Sequence, residues 1–359
     1  MWRYAGLASR ATGSYDPVSV GGQSVALYGG VAPCYCIDPL RRPAMKRATI
    51  LGWIAVGIST FLSSLWAFWG TYETFHEGWY FKSLSQNLVL TVEYLALMLI
   101  FLVLSVIPLR WPRAGGSLYQ LFGIGFFIWI LMTRKVLGLG VVLGWLPVIL
   151  PPLFLGILFW AGRPTPVSRA YKISILLPLL VAVGFAIEPV TRIAGRIDDG
   201  NRGLRIVQGN GVKLVWAPEG PGWPNPDPHS KIWMTQWRGP TWEEAQQVCR
   251  YLTADGKSIA STPQDIWRLP TVGEVVRSMT RHGTNSGGVW NPINGHPSYA
   301  TKPDKESPLW NPFSPIIYWW TSSEQGKRRA YSIDFNGKVY NRNKESNLGS
   351  QGFRAVRNP

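Results

Sequence analysis

The protein has 359 residues, which allows two domains of ordinary size, and 46% of them are hydrophobic. It carries 36 Lys and Arg against 20 Asp and Glu, for a net charge of +16. The basic residues stand mostly beside apolar segments, where they direct membrane topology, and they form no dense patch. This charge therefore does not indicate nucleic-acid binding.

Residues 1–46 are rich in Gly, Ser, Ala and Pro and show neither helical nor strand periodicity, so we predict a disordered tail. Cys34 and Cys36 within it lack the spacing of a zinc or redox pair. The sequence from Met45 onward, which runs straight into the first apolar segment, is typical of a natural start. That apolar segment is too long to be the core of a cleavable signal peptide.

Residues 47–194 predict an all-α transmembrane block of about five spans, because about 20 apolar residues cross the hydrocarbon core of a membrane. The fourth span contains three prolines, so we expect a kink there. The predicted spans are Ile50–Trp69, Leu88–Leu109, Leu118–Met132, Val136–Trp160 and Ile173–Ile193.

Lys and Arg residues in the short loops indicate how the block is oriented. Most of them fall before the first span and in the second and fourth loops, so we expect that side to be cytoplasmic. Five crossings then place the C-terminal domain outside the plasma membrane, although Arg192, Arg196, Arg202 and Arg205 would lie there too. Glu93 and Glu188 stand near helix ends, where each can reach the interface, so neither indicates transport.

Residues 195–211 predict a linker, and residues 212–359 predict a soluble α+β domain. Thr-x-x-Glu capping boxes begin at Thr241 and at Thr271, and each predicts a short amphipathic helix. Helical spacing puts Cys249 beside the buried face of the first of these helices, so we expect an inert core thiol.

Short strands follow the two helices. An Asn-Gly pair between two of them predicts a tight β-hairpin. The predicted strands are Ile316–Thr321, Ala330–Phe335, Lys338–Tyr340 and Phe353–Val356.

Five motifs of the soluble domain occur in a recognisable order. They are Thr241-Trp242, Trp267-Arg268-Leu269-Pro270-Thr271, Tyr318-Trp319-Trp320-Thr321-Ser322-Ser323, Asp334-Phe335-Asn336-Gly337-Lys338 and Gly352-Phe353-Arg354-Ala355-Val356-Arg357. As a set they resemble the Lcl C-terminal domain family and, more distantly, the formylglycine-generating (sulfatase-modifying factor) enzymes, both variants of the C-type-lectin-like fold. The resemblance covers about residues 212–357, and the membrane half resembles no family. It implies two helices around a small antiparallel sheet, in a type of domain that bacteria use on their surface to bind glycans or proteins.

The resemblance does not extend to the chemistry of the enzymes. Their oxidase branch holds copper with a late pair of cysteines, and no cysteine follows Cys249 here, so we expect no enzyme of that type. Iron-binding relatives need a histidine set, whereas the soluble part has only His229, His282 and His296, scattered along it. Some domains of this fold hold calcium through loop oxygen atoms, and we expect no other cofactor. The oxygen ligands available for calcium, at no fixed spacing, belong to Asp304, Glu306, Asn311 and Asn336.

We expect six residues of these motifs to stabilise the fold rather than to touch a ligand. The Trp-Arg-Leu-Pro segment leads into the second helix and the capping Glu stabilises its first turn, so these residues support the helix and its packing. We expect the Arg of the last predicted strand to form an internal pair. The six residues are Trp242, Trp267, Arg268, Pro270, Glu274 and Arg354.

The better ligand candidates surround the predicted hairpin, because aromatic faces and amides suit sugar rings and protein hot spots. Since neighbours on a strand alternate sides, at least one of the two adjacent tryptophans has to face the core. The seven candidates are Trp319, Trp320, Tyr331, Tyr340, Asn341, Arg342 and Asn343.

The leading prediction is therefore a membrane-anchored, extracytoplasmic, non-enzymatic module that binds a glycan or protein ligand. One alternative is a formylglycine-generating type of enzyme, which needs the missing cysteine pair. Another is a sensor or transporter with a lectin-like domain, which needs polar residues lining the helices. Four asparagines between Asn336 and Asn347 also suit a receptor that a diversity-generating retroelement mutates at adenine-rich codons.

Overall fold

The first helix begins at Arg41, inside the segment predicted as a disordered tail, and the rest of that tail, with Cys34 and Cys36, lies outside the described residues. Residues Met45–Pro359 form one compact unit. The computed structural model describes residues 41–133, 139–223 and 239–359.

Six helices make up the described N-terminal half: α1 (Arg41–Glu77), α2 (Leu84–Tyr94), α3 (Ala96–Arg110), α4 (Pro112–Thr133), α5 (Leu139–Ala161) and α6 (Val167–Ala194). Among the described residues, α1, α4, α5 and α6 are each long and apolar enough to cross a membrane. Helices α2 and α3 together form a bent fifth candidate. The predicted block of apolar helices is therefore confirmed, with four spans or, when the bent pair is included, five.

The second predicted span is not one straight helix. Helices α2 and α3 meet at Leu95 with a bend of 56°. The bend lies against α1, where a Cβ atom on Gly70 would come 2.6 Å from the carbonyl oxygen of Tyr94. Trp79 Nε1 also donates a hydrogen bond of 3.2 Å to Thr91 Oγ1 on α2. No proline or glycine marks this position, so only the contacts with α1 reveal the bend.

Helices α4 and α5 lie very close together because glycines line one face of α4. A Cβ atom on Gly116 would lie 2.1 Å from Trp160 Cδ1, and one on Gly123 would lie 2.8 Å from Leu153 Cδ2. Small residues permit this close packing between apolar helices. The three prolines of the fourth predicted span lie inside α5 without dividing it.

The two ends of the helix block have different surroundings. At one end, which we call the domain end, His76 of α1 contacts Tyr318 and Arg192 of α6 contacts Asn336, both in the C-terminal half. At the opposite end, the connection after α5 donates a backbone hydrogen bond to Ala48 near the start of α1. Helices α1 and α6 therefore both run towards the C-terminal half.

The described C-terminal half is an α+β domain. Its elements are β1 (Arg205–Gly209), β2 (Val212–Trp216), α7 (Trp242–Tyr251), α8 (Val272–Ser278), β3 (Thr280–Arg281), β4 (Thr284–Asn285), β5 (Val289–Asn291), β6 (His296–Ser298), β7 (Tyr318–Glu324), β8 (Arg329–Asp334), β9 (Val339–Asn343), β10 (Gln351–Gly352) and β11 (Val356–Arg357). One sheet has the order β1-β2-β11 and a larger one the order β10-β7-β8-β9, while β3-β4 and β5-β6 are small hairpins.

This domain begins earlier than the sequence predicts. Part of the predicted linker, residues 195–211, forms β1, which pairs antiparallel with β2 along its whole length. Asn210 and Gly211 have positive φ angles of 53° and 82° and make the tight turn between the two strands. This Asn-Gly pair is the same hairpin signal as the one recognised later in the chain. That part of the predicted linker therefore belongs to the sheet.

Both predicted capping boxes are confirmed. Thr241 Oγ1 accepts a hydrogen bond from the backbone N–H of Glu244, whose carboxylate accepts one in return, and Thr271 and Glu274 repeat the arrangement. The predicted Asn-Gly turn between β8 and β9 is confirmed as well, with Gly337 at a φ of 81°.

Two apolar clusters cover the two faces of β7. Trp319 belongs to one cluster, where its ring stacks on that of Trp310 with 3.6 Å between centroids. Trp320 belongs to the other, together with Cys249, which is a core residue as predicted. A strand buried on both faces has a continuous apolar sequence, as Ile316–Thr321 does.

Candidate functional site

The seven predicted ligand residues lie on two different faces of the larger sheet. Residues directly opposite each other in an antiparallel pair point to the same side. Tyr331 pairs with Asn341, and the next pair on that face contains Asn343. Tyr340 and Arg342 alternate with these asparagines along β9, so their side chains belong to the other face.

Trp319 and Trp320 are not surface residues. Both side chains are 0% exposed, so neither contacts an external ligand in this structure. The sequence analysis expects at least one of the pair to face the core, and both do so. The reason is that β7 is a central strand, between β10 and β8, with an apolar cluster on each side.

An exposed polar strip remains on one side of the hairpin formed by β8 and β9. Asn341 Nδ2 donates to Gln325 Oε1, and Arg329 donates a hydrogen bond of 3.2 Å to the carbonyl oxygen of Asn341. Two half-buried aromatic rings border the strip, since Trp290 meets Tyr331 edge-on with 5.5 Å between centroids. We call this surface the asparagine face, made of Trp290, Gln325, Arg329, Tyr331, Asn341 and Asn343.

The other face of the same hairpin holds the domain against the helix block. The Arg342 guanidinium lies 4.2 Å from the centroid of the Tyr318 ring and 5.0 Å from that of Tyr340. Tyr318 Oη shares a hydrogen bond of 3.1 Å with His76 Nε2, at the last turns of α1. Tyr340 and Arg342 therefore contribute to the contact with α1, and His76 is a contact residue that the sequence analysis missed.

A buried carboxylate fixes the turn of the hairpin. Asp334 Oδ1 accepts a hydrogen bond of 2.8 Å from the backbone N–H of Lys338, and its Oδ2 accepts one of 3.0 Å from Tyr340 Oη. Burial raises the pKa of Asp334 to about 6, despite these hydrogen bonds.

Two of the calcium candidates, Asp304 and Glu306, are buried among basic groups. Asp304 accepts hydrogen bonds of 2.8 Å from Arg196 and 2.9 Å from Arg281, and Arg192 Nε lies 3.5 Å from its Oδ2. Burial alone would raise the pKa of Asp304, but these arginines, Arg196 above all, hold it below its ordinary value.

The other oxygen ligands proposed for calcium also have protein partners. Glu306 accepts a hydrogen bond of 3.1 Å from the backbone N–H of Ile197. Asn311 Oδ1 and Asn336 Oδ1 each accept a hydrogen bond from an arginine, at 3.2 and 3.3 Å. Within residues 41–133, 139–223 and 239–359, no three His, Cys, Asp or Glu side chains are placed to hold a metal. All four proposed calcium ligands therefore have hydrogen-bond partners within the protein in this structure.

Three of the six predicted structural residues connect the segments around α7 and α8 to each other and to the larger sheet. The Trp242 indole N–H donates a hydrogen bond of 2.7 Å to the carbonyl oxygen of Thr321. The Trp267 indole donates one of 2.9 Å to Thr253 O, and the buried Pro270 accepts one of 2.8 Å from the backbone of β7.

The three charged residues of this group also have internal partners. Arg268 makes a two-pronged ion pair with Glu274, with hydrogen bonds of 2.6 and 2.8 Å. Arg354 is buried and donates a hydrogen bond of 2.9 Å to the carbonyl oxygen of Ala217. Its guanidinium lies 3.8 Å from the centroid of the Trp223 ring. Burial lowers the pKa of Arg354 to about 9.

Cys249 lacks the features of a reactive cysteine in the folded domain. Its thiol is buried in the apolar cluster beneath α7, and burial raises its pKa far above the ordinary value. A reactive cysteine needs an exposed thiol that ionises readily, and Cys249 has neither property.

No protein-family profile, curated protein sequence or solved structure matches the chain. The resemblance to the Lcl C-terminal domain family and to the C-type-lectin-like fold therefore stays a prediction. The function has to be inferred from the geometry of the site and from its position relative to the helices.

Proposed function

We propose that this chain is a membrane-anchored, extracytoplasmic, non-enzymatic module that binds a glycan or protein ligand through the asparagine face. The observation that carries the proposal is that the two faces of the β8–β9 hairpin have different surroundings. One face packs towards α1, through Arg342 and Tyr340, while the other presents Asn341 and Asn343 to solvent. The domain is proposed to have the C-type-lectin-like fold, because two capped helices and a small sheet with long loops are what that resemblance implies.

The chemistry of the asparagine face suits a polar ligand with apolar patches. Amide groups donate and accept hydrogen bonds at once, as the hydroxyl groups of a sugar require. The edge-on pair of Trp290 and Tyr331 adds a half-buried aromatic wall on which a sugar ring or an apolar side chain can rest. The adjoining β5–β6 hairpin adds Ile293, which is 95% exposed.

The distribution of charge supports a domain outside the cytoplasm. Arg192 and Arg196, which the sequence alone places on the outer side as free positive charges, both form ion pairs with Asp304. Asp304 thereby offsets part of this positive charge within the folded domain. We call the opposite end of the helix block the basic end, and under the positive-inside rule it faces the cytoplasm. The basic end carries Lys46, Arg47, Arg110, Arg113, Arg163, Arg169 and Lys172.

A sensor is the second candidate function, and a specific contact favours it. Arg342 lies between Asn341 and Asn343 in sequence and stacks on Tyr318, which is hydrogen-bonded to His76 of α1. A ligand that alters β9 would therefore act on α1 through two contacts. This proposal adds a signal to the binding function and does not replace it.

Glycan binding by the full-length chain in lipid nanodiscs tests the proposal. The wild type, the double variant Asn341→Ala/Asn343→Ala and the control Asn347→Ala are applied to an array of bacterial and host glycans. Loss of two amide contacts of about 0.7 kcal/mol each weakens binding about tenfold, and the control is expected to bind as the wild type does. Equal binding by the double variant and the wild type would rule out the asparagine face as the site.

A further inference from the structure

A cleft opens at the basic end of the helix block, where the end of α3, the start of α4 and the end of α5 meet. Its volume is about 560 Å³. We call it the arginine cleft, after the arginines that line it together with two tryptophans and the start of α1. Its main lining residues are Ala48, Arg110, Trp111, Arg113, Trp160 and Arg163.

The walls of the arginine cleft are held in place by backbone contacts between three helices. Trp160 Nε1 donates a hydrogen bond of 2.9 Å to the carbonyl oxygen of Arg113, and its ring lies against Gly116. The backbone N–H of Arg163 donates one of 3.0 Å to the carbonyl oxygen of Ala48. The arginines therefore extend from a backbone whose position is fixed, rather than from a loop without contacts.

The positive charges of this cleft have no anionic partner in the described part of the chain. Neither Arg110, Arg113 nor Arg163 forms an ion pair there with any Asp or Glu, and none of the three is buried. The carboxylates of the described helices lie on the domain side of the block, in α1, α2 and the end of α6. They are Glu73, Glu77, Glu93 and Glu188.

We propose that the arginine cleft binds the phosphate headgroup of an anionic phospholipid. Guanidinium groups bind phosphate oxygens through paired N–H donors, and three of them at one cleft can surround a phosphate diester. Trp111 and Trp160 are 61% and 56% exposed, and exposed indoles at the ends of membrane helices lie at the level of lipid headgroups. The apolar helix faces next to the cleft then accommodate the acyl chains, so a lipid fits this cleft better than a free phosphate compound does.

Lipid selectivity of the purified full-length protein tests this proposal. The protein is reconstituted with equal amounts of phosphatidylglycerol and phosphatidylcholine, extracted in mild detergent, and its bound lipids are counted by native mass spectrometry. We compare the wild type, the triple variant Arg110→Gln/Arg113→Gln/Arg163→Gln, each single variant, and the control Arg169→Gln/Lys172→Gln. The control removes two charges from the same end of the block without altering the cleft.

We expect the wild type and the control to retain phosphatidylglycerol over phosphatidylcholine, and the triple variant to lose about tenfold or more of that selectivity. The single variants are expected to show partial losses, which keeps the test decisive should the triple variant fail to fold. Equal selectivity in the triple variant and the wild type would overturn the proposal, as would an equal loss in the control. Displacement of the bound lipid by millimolar glycerol 1-phosphate or inorganic phosphate would overturn the assignment to a lipid and indicate a soluble phosphate compound.

Discussion

Replacing Asp304 with Asn should destabilise the C-terminal domain severely, because Asp304 is the anion around which three arginines converge. Its side chain is 0% exposed, and Arg196 and Arg281 donate hydrogen bonds of 2.8 and 2.9 Å to its two oxygen atoms. In the variant Asp304→Asn the shape is kept, but the charge is lost and an amide N–H₂ group faces arginine donors. Arg196, with 5% of its side chain exposed, is left without a counter-charge.

The magnitude follows from the burial of this cluster. Breaking a buried ion pair by removing one partner costs about 3–5 kcal/mol, and Asn keeps one acceptor, so we expect about 3 kcal/mol. For a domain of this size, 1 kcal/mol shifts Tm by about 2–4 °C, which gives a decrease of about 6–12 °C. The control Asp265→Asn breaks a surface pair with Arg250 of similar length, 2.9 Å, whose side chains are 59% and 62% exposed. Solvent screens such exposed pairs, so this control should change the stability little.

Thermal unfolding of the full-length chain in detergent, followed by tryptophan fluorescence, measures both variants. The arginines hold the pKa of Asp304 in the folded protein below its ordinary value. The free energy of unfolding that Asp304 contributes is therefore fully present above the unfolded pKa of about 3.9, and it is lost as the pH falls through the folded pKa. The difference in Tm between the wild type and Asp304→Asn should therefore be constant from about pH 6 to pH 8 and shrink below about pH 4. A Tm for Asp304→Asn within about 2 °C of that for Asp265→Asn would refute the reasoning.

Three further predictions concern single positions. The variant Arg354→Lys should lose about 2–3 kcal/mol of unfolding free energy, measured in urea, because Lys cannot repeat the buried guanidinium contacts. The control Arg357→Lys, at a half-exposed position, should lose under about 1 kcal/mol, and similar losses in the two variants would contradict this prediction. Cys249 should resist maleimide in the folded protein and react in guanidinium chloride, since burial raises its pKa; rapid labelling of the native protein would contradict its core position. The variant Lys327→Cys places a thiol in the exposed β7–β8 turn, with the other cysteines replaced by Ser. This thiol should react with an impermeant maleimide on intact cells. Labelling only after permeabilisation would place the domain in the cytoplasm.

Much of the local structure could be predicted because its signals involve residues a few positions apart. The apolar segments from Ile50 to Ile193, the capping boxes at Thr241 and Thr271 and the turn at Gly337 each depend on neighbouring residues alone. The first Asn-Gly turn, at Asn210, carries the same short-range signal.

The candidate site was harder to predict because exposure depends on what covers a strand. Alternation along β7 assigns Trp319 and Trp320 to opposite faces, but only the packing of α7 and of β2 shows that both faces are buried. The same alternation along β9 separates Asn341 from Arg342, and the position of α1 decides which of the two faces remains free for a ligand.

The sequence by itself determined the class of the protein: a block of apolar helices followed by an α+β domain, with the helix caps, the second hairpin and the buried thiol of Cys249 in place. Only the tertiary structure joined Arg192 and Arg196 to Asp304, more than 100 residues further along the chain, and gathered Arg110, Arg113 and Arg163 at one cleft. Hydrophobic period and helix caps are short-range properties that a chain carries in its sequence. The partner of a charge and the exposure of a side chain are set by segments distant in sequence, and they become defined only when the elements pack together.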